Sequence, residues 1–265
     1  MRFSHEVAQF WGKDAIYISI VRDPVKMFES LFNYMKRIAP QFKEAQSLGT
    51  KYLYRKFEQL FENFLQKLAQ LSSENFMKTP EDFSKLGASK PMTGFFAKNH
   101  MTFEFGLDPW ESSEHVIRSE HISALADQWD FVLVNEHMAE SLVILRRYLC
   151  MSLEDVACFI TNQRSEKSSL PSRLQAQLKE WNKADWLLYR HFNQTLWRKI
   201  EAVGVELVNR EVANLAKLVR RLADKCVEGY VENSQLEPEF RVYQPPGVKV
   251  KGIKVRKVIK PLLFA

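Results

Sequence analysis

Residues 15–35 read AIYISIVRDPVKMFESLFNYM, and the changes of pattern within them decide the fold. Ala15–Val21 is a short run dominated by β-branched residues and is expected to form a buried strand. The run stops at Arg22-Asp23-Pro24. Asp23 has the side chain of a helix N-cap, and Pro24 sits where the first helical residue would be. From Val25 onward, a rotation of 100° per residue gathers Val25, Met27, Phe28, Leu31, Phe32 and Met35 on one half of a wheel. Lys26, Glu29, Ser30 and Asn33 fall in a narrow arc opposite. The stretch therefore predicts a strand, a tight turn and an amphipathic helix.

Working outward, Leu53–Leu71 carries apolar residues at helical spacing (Phe57, Leu60, Phe61, Phe64, Leu65, Leu68) and predicts a helix. Residues 72–94, with Pro80, Gly87, Pro91 and Gly94, read as a loop. A second strand is expected at Phe131–Val134, running directly into a helix over Met138–Tyr148. Residues 168–203 and 205–227 are expected to be mainly helical. After Glu237 come Pro245, Pro246 and Gly247, then VKVKGIKVRKV, which suits a weak edge strand or an extended tail. There is no internal repeat. Two strand-to-helix units among many helices predict an α/β protein with a parallel sheet and a largely helical C-terminal half. Such sheets bind ligands at the carboxyl ends of their strands, where Arg22 stands.

Composition is consistent with this. At 265 residues, 46% hydrophobic and 26% charged, with nine Gly and ten Pro, the chain is an ordinary globular one. Disorder, collagen-like repeats and disulfide-dense scaffolds are excluded. The net charge of +6 is localised: residues 241–265 hold seven Lys and Arg and no acid, which leaves −1 for residues 1–240. The expected organisation is a main domain over 1–240 and a solvated basic tail over 241–265. Cys150, Cys158 and Cys226 form no CxxC pair, and the six histidines form no HxH or HxxxH pair, so no metal is expected. No run approaches the roughly 20 apolar residues of a membrane helix, and MRFSHEVAQFW lacks the apolar centre of a signal peptide.

Arg22 leaves a strand beside a helix N-terminus and so combines a permanent forked donor with the positive end of the helix dipole. Ser30 lies about two turns into the helix, one turn beyond Lys26, on the arc away from the core face. The pattern suits a phosphate group. A pairing of Arg22 with a neighbouring carboxylate, with Ser30 merely solvated, is the structural alternative.

IYISIVRDPVKMFESLFNY resembles the 3′-phosphate-binding segment of sulfotransferases that use 3′-phosphoadenylyl sulfate (PAPS), in which a strand ends in Arg-Asp-Pro and a Ser follows eight residues after the Arg. MRFSHEVAQFW, NHMTFEFGLD (99–108), DFVLVNEHMAESLVILRRYLC (130–150) and LKEWNKADWLLYRHFNQTLW (178–197) extend the resemblance, over about residues 1–204, to the galactose 3-O-sulfotransferase family. The resemblance implies a P-loop-like α/β fold. It implies transfer of a sulfuryl group from PAPS to the 3-hydroxyl of galactose in a glycolipid of the galactosylceramide type or in a glycan, without a metal. It also implies a membrane-anchored enzyme of the Golgi lumen, with a homo-oligomer among its expected assemblies and no nucleic-acid partner. Arg22 and Ser30 take the 3′-phosphate positions, and Lys26 stands beside them. Arg164 in TNQRS resembles a family Asn-x-Arg position that could reach the cofactor's phosphates.

In one respect the chain departs from the family pattern. The phosphosulfate-cradling loop and its lysine lie upstream of the MRF-like segment in the family, and none of the nine glycines here forms such a loop. The sequence is accordingly read as N-terminally shortened, without anchor, cradle or first strand, and inactive on its own. Alternatives are a non-catalytic decoy partner of the full enzyme and a nucleic-acid- or membrane-surface-binding protein acting through the basic tail. Asn193-Gln194-Thr195 is a sequon, so Asn193 is a candidate glycosylation site. Trp181, Trp186 and Trp197 could face a sugar, but their helical spacing places them in the core.

Overall fold

The structure is a computed structural model that describes residues 15–35, 98–107, 119–159, 170–242, 244 and 250–256. The expected helix at 53–71, the loop at 72–94 and Arg164 lie outside the described residues. In chain order the elements are β1 (Ile18–Val21), α1 (Pro24–Met35), α2 (His100–Glu104), α3 (Ser119–Ala126), β2 (Phe131–Val134), α4 (Met138–Tyr148), α5 (Ser172–Trp181), α6 (Lys183–Val203), α7 (Val205–Cys226), β3 (Val227–Glu232) and β4 (Lys251–Val255). They form a mixed α/β chain divided into two compact units. The first comprises Met1–Glu136 and Ser169–Thr195, the second His137–Ser168 and Leu196–Ala265.

In the first unit β1 and β2 are parallel neighbours, with Ile18 opposite Phe131 and Val21 opposite Val134. The register is set just before the strands: the Tyr17 amide donates to Asp130 Oδ2 at 2.8 Å, and the amides of Asp130 and Phe131 donate to the Tyr17 carbonyl. All four residues of β2 are buried. β1 corrects the expectation of a strand buried throughout, because Val21 is fully buried whereas Ile16, Ile18 and Ile20 are 55%, 39% and 47% exposed. Side chains alternate along a strand, so these three isoleucines share one side of the sheet, and that side is open.

α1 starts as its sequence predicts. Asp23 Oδ1 accepts from the amides of Val25 (2.8 Å) and Lys26 (3.3 Å), the geometry of an N-cap preceding a proline. Val25 and Phe28 are buried, and α1 packs on α5. The wheel misplaces one residue: Glu29, expected on the polar arc, is only 7% exposed. At 100° per residue Glu29 lies beside Val25, at the border of the apolar half, so a helix buried over more than half its girth takes it in. Phe105 stacks at tilted angles on Trp129 (4.8 Å) and Phe192 (5.5 Å) to close this core.

In the second unit α4 packs on α7. Val208, Leu215 and Leu218 form the buried stripe of α7, and Glu211 interrupts it. Glu211 is held by two arginines of α4: Arg146 Nη2 donates to Oε2 at 2.7 Å, Arg147 Nε donates to Oε2 at 3.2 Å, and Arg147 Nη2 donates to Oε1. Burial pushes the carboxyl up, but the bonds from Arg147 and Arg146 outweigh it and hold it below the usual range. Glu211→Ala would leave two guanidinia facing an apolar stripe. Because both arginines keep some contact with water, the expected loss of stability is about 2 kcal/mol, below the range for a fully buried pair. Denaturant unfolding measures it, and a loss under 0.5 kcal/mol would show the triad to be ornamental.

Of the two readings of VKVKGIKVRKV, an edge strand or an extended tail, the strand is the one found. Lys251–Val255 is a strand, paired antiparallel with β3 so that Tyr230 faces Ile253 and Glu232 faces Lys251. The sequence reading has no β3, because Val227–Glu232 continues directly from α7 with no turn residue between them. Between the strands, the Asn233 side chain donates to the Val242 carbonyl (2.9 Å) and accepts from the Val242 amide (3.0 Å). Gly252 lies against Leu236, where a Cβ would come within 2.3 Å of Cδ1. Only glycine fits that strand position without moving the leucine.

Candidate functional site at the strand ends

The carboxyl ends of β1 and β2 lie side by side, and the offset that places Val21 beside Val134 brings Asp23 level with Glu136. The Asp23 amide donates to Glu136 Oε2 at 3.1 Å. The phenol of Tyr189, on α6, lies beside the same carboxylate. Burial first, then the negative charges of Glu136 and Asp23, push the phenol up to about 12, so it remains a neutral donor. Glu136 Oε1 is buried and has no hydrogen-bond partner among the described residues.

Arg22 stands one peptide bond before Asp23. Its amide donates to Met101 Sδ at 3.2 Å, and its guanidinium Nε is buried without a partner among the described residues. The expected pairing of Arg22 with a neighbouring carboxylate therefore does not occupy Nε. The helix contribution is smaller than the sequence suggests. Asp23 already takes the amides of Val25 and Lys26 on its side chain and that of Met27 on its carbonyl. An anion here meets side-chain donors and the dipole rather than free helix amides. Lys26 is exposed and Ser30 half-buried; four residues apart, they lie one above the other on α1. The structure thus gathers Arg22, Lys26 and Ser30 on one strand-helix unit.

The segment that touches Arg22 is itself anchored from α6. Asp185 is fully buried and accepts from the Met101 amide (3.1 Å), the Thr102 amide (2.7 Å) and the Thr102 hydroxyl (2.6 Å). Asn182 Oδ1 accepts from the Asn99 amide at 2.8 Å, and Asn99 adopts a left-handed conformation with φ 44°. Two side chains of one helix start thereby fix Asn99–Thr102, and Met101 carries that constraint to the strand end. Burial raises the Asp185 carboxyl to about 6 despite the three donors. His100, on the same turn, is held below its ordinary value by burial, partly offset by Glu104.

Other candidates fall elsewhere. Asn193, the sequon asparagine, is half-buried in mid α6, with its amide oxygen buried. None of the three tryptophans is a core residue, contrary to expectation. Lys98 Nζ lies 4.7 Å from the Trp181 ring and Lys179 Nζ 4.3 Å from that of Trp186; Trp197 is 38% exposed. Trp181 and Trp186 each carry a lysine ammonium over the ring, and Trp197 meets the His137 ring edge-on at 5.1 Å. Among the described residues no cluster of His, Cys, Asp and Glu could hold a metal, the cysteines are free, and no helix is long and apolar enough to cross a membrane.

Glu136, Tyr189 and Asp185 are the residues that sequence reasoning misses. One signal was available for Glu136: β1 ends Val-Arg-Asp and β2 ends Val-Asn-Glu, so in-register parallel pairing makes the two acids neighbours. Nothing comparable marks Tyr189 or Asp185, whose partners are distant in the chain.

A family model described as galactose-3-O-sulfotransferase matches residues 1–61 and 50–260. The match runs past residue 204, where the quoted resemblance stops, and takes in β3 and β4. Similar proteins include human galactose-3-O-sulfotransferase 2, 33% identical over 95% of this chain and 58% of the relative. Mouse galactosylceramide sulfotransferase is 30% identical over 98% and 57%, and mouse galactose-3-O-sulfotransferase 3 is 30% identical over 85% and 48%. The chain thus spans little more than half the length of the curated relatives it matches. No solved structure matches it.

Proposed function

Because the chain belongs to the galactose-3-O-sulfotransferase family, we propose that it serves sulfuryl transfer from PAPS to the 3-hydroxyl of a galactose in a glycolipid or glycan, at the lumenal side of the Golgi membrane. On this reading β1–α1 and β2–α4 are two units of a P-loop-like sheet, and their carboxyl ends hold the nucleotide end of the donor. The observation that carries it is the buried, unpartnered Nε of Arg22 at the end of a parallel strand. A guanidinium donor kept from water and left unpaired is costly, and the 3′-phosphate dianion is a group that would satisfy it. Ser30 and Lys26 add a hydroxyl and a charge on the adjoining helix.

In the reaction, galactose O3 attacks sulfur in line. The O3–S bond forms while the bond from sulfur to the bridging oxygen of the 5′-phosphate breaks. The electron pair leaves with 3′-phosphoadenosine 5′-phosphate, and the hydroxyl proton passes to a base. The part played by Arg22 is binding and alignment of the donor, remote from sulfur.

Calorimetric titration of the chain with 3′-phosphoadenosine 5′-phosphate and with adenosine 5′-monophosphate tests this. The bisphosphate is expected to bind about 10- to 100-fold more tightly, the worth of charge-assisted hydrogen bonds. Equal affinities would remove the 3′-phosphate site.

A further inference from the structure

At the paired strand ends, two buried polar atoms of opposite character want partners: Arg22 Nε, a donor, and Glu136 Oε1, an acceptor. The Glu136 carboxylate is not free to turn away. Its other oxygen accepts from the Asp23 amide at 3.1 Å, and the Tyr189 phenol lies beside the same group. Since Asp23 directly follows Arg22, the carboxylate is tied to the backbone that presents the arginine. A carboxylate oxygen repels an anion, so a ligand that gives an anionic group to Arg22 must offer Glu136 something else, an O–H or an N–H.

We propose that Glu136 is a specificity residue that accepts a hydrogen bond, through Oε1, from the ribose 2′-hydroxyl adjoining the 3′-phosphate. The inference rests on the nucleotide reading above. A ribose 3′-phosphate carries an anion and a hydroxyl on adjacent carbons, the same sequence of acceptor and donor that Arg22 and Glu136 complement. The Asp23 amide acts as a positioning group: it occupies Oε2 and leaves Oε1 as the atom available to the sugar. A site built to bond a hydroxyl rejects the analogue lacking it, because the buried acceptor then stays unpaired.

The test titrates the full chain with 3′-phosphoadenosine 5′-phosphate and with its 2′-deoxy analogue. The ribose form is expected to bind about 10- to 100-fold more tightly. In Glu136→Gln the amide oxygen stays with the donating Asp23 amide, which puts an NH2 group where Oε1 was, and the preference should shrink to about threefold or less. Equal binding of the two nucleotides by the wild type, with the bisphosphate still preferred over the monophosphate, overturns this inference and leaves the phosphate site standing. A Gln variant that keeps the full preference overturns it as well. If neither nucleotide binds, the nucleotide reading fails and takes the inference with it. Should the variant not fold, the wild-type comparison decides alone.

Discussion

Asp185→Ala is expected to lower the unfolding free energy by about 3 kcal/mol at pH 7. The carboxylate serves the amides of Met101 and Thr102 and the Thr102 hydroxyl, all within a fully buried setting. Without it three donors are left with no acceptor, at about 1–3 kcal/mol each, and relief of a desolvated charge offsets part of this. The pH dependence distinguishes the buried acid from a mere space-filler. Its carboxyl is raised from 3.8 to about 6, so the folded state holds the proton more tightly than the unfolded chain. The corresponding stabilisation is complete below about pH 4 and is lost as pH rises through 6, by about 3 kcal/mol at 1.36 kcal/mol per pKa unit. Denaturant unfolding of wild type and Asp185→Asn at pH 4, 5, 6 and 7 should show their difference narrowing upward through that window. A difference that stays flat with pH would mean the carboxyl titrates normally.

Arg22→Ala is expected to weaken binding of 3′-phosphoadenosine 5′-phosphate by about 2–4 kcal/mol, roughly 30- to 1,000-fold, the scale for removing one partner of a buried, hydrogen-bonded charge pair. Its effect on stability should be small by comparison, because the Nε has no partner to lose among the described residues and the contact to Met101 is made by the backbone amide. Affinity and stability therefore separate for Arg22. For Asp185 they should fall together, since unfastening Met101 and Thr102 loosens the turn that meets the Arg22 amide. An Arg22→Ala protein that binds the bisphosphate as well as wild type would sink the assignment of the strand end to the phosphate.

Much of this site was legible from residues 15–35. The strand exit, the Asp23 cap, Pro24 and the helix after it all depend on interactions within a few residues of one another, and the structure contains each. The second strand and its helix, Phe131–Val134 and Met138–Tyr148, were equally plain. The errors share a cause. Glu29 looks polar on a wheel but lies where the neighbouring elements close over it. Trp181 and Trp186 look apolar but carry lysine ammonium groups over their rings. Val227–Glu232 looks like the run-out of a helix but pairs with Lys251–Val255, about twenty residues or more further on.

Sequence alone therefore determined the local grammar of this protein: where a strand must stop, what caps the helix that follows, and that an arginine and a serine ride on that unit. The tertiary structure decided the company they keep. Tyr17 meets Asp130 and Asp23 meets Glu136 across 113 positions, and Met101 and Thr102 reach Asp185 across 84 and 83. Caps and amphipathic periods arise from steric and hydrogen-bonding preferences of adjacent residues and can be read in any short window. Which buried oxygen satisfies which buried amide depends on how chain segments pack, because desolvation penalises every polar group that packing leaves without a partner.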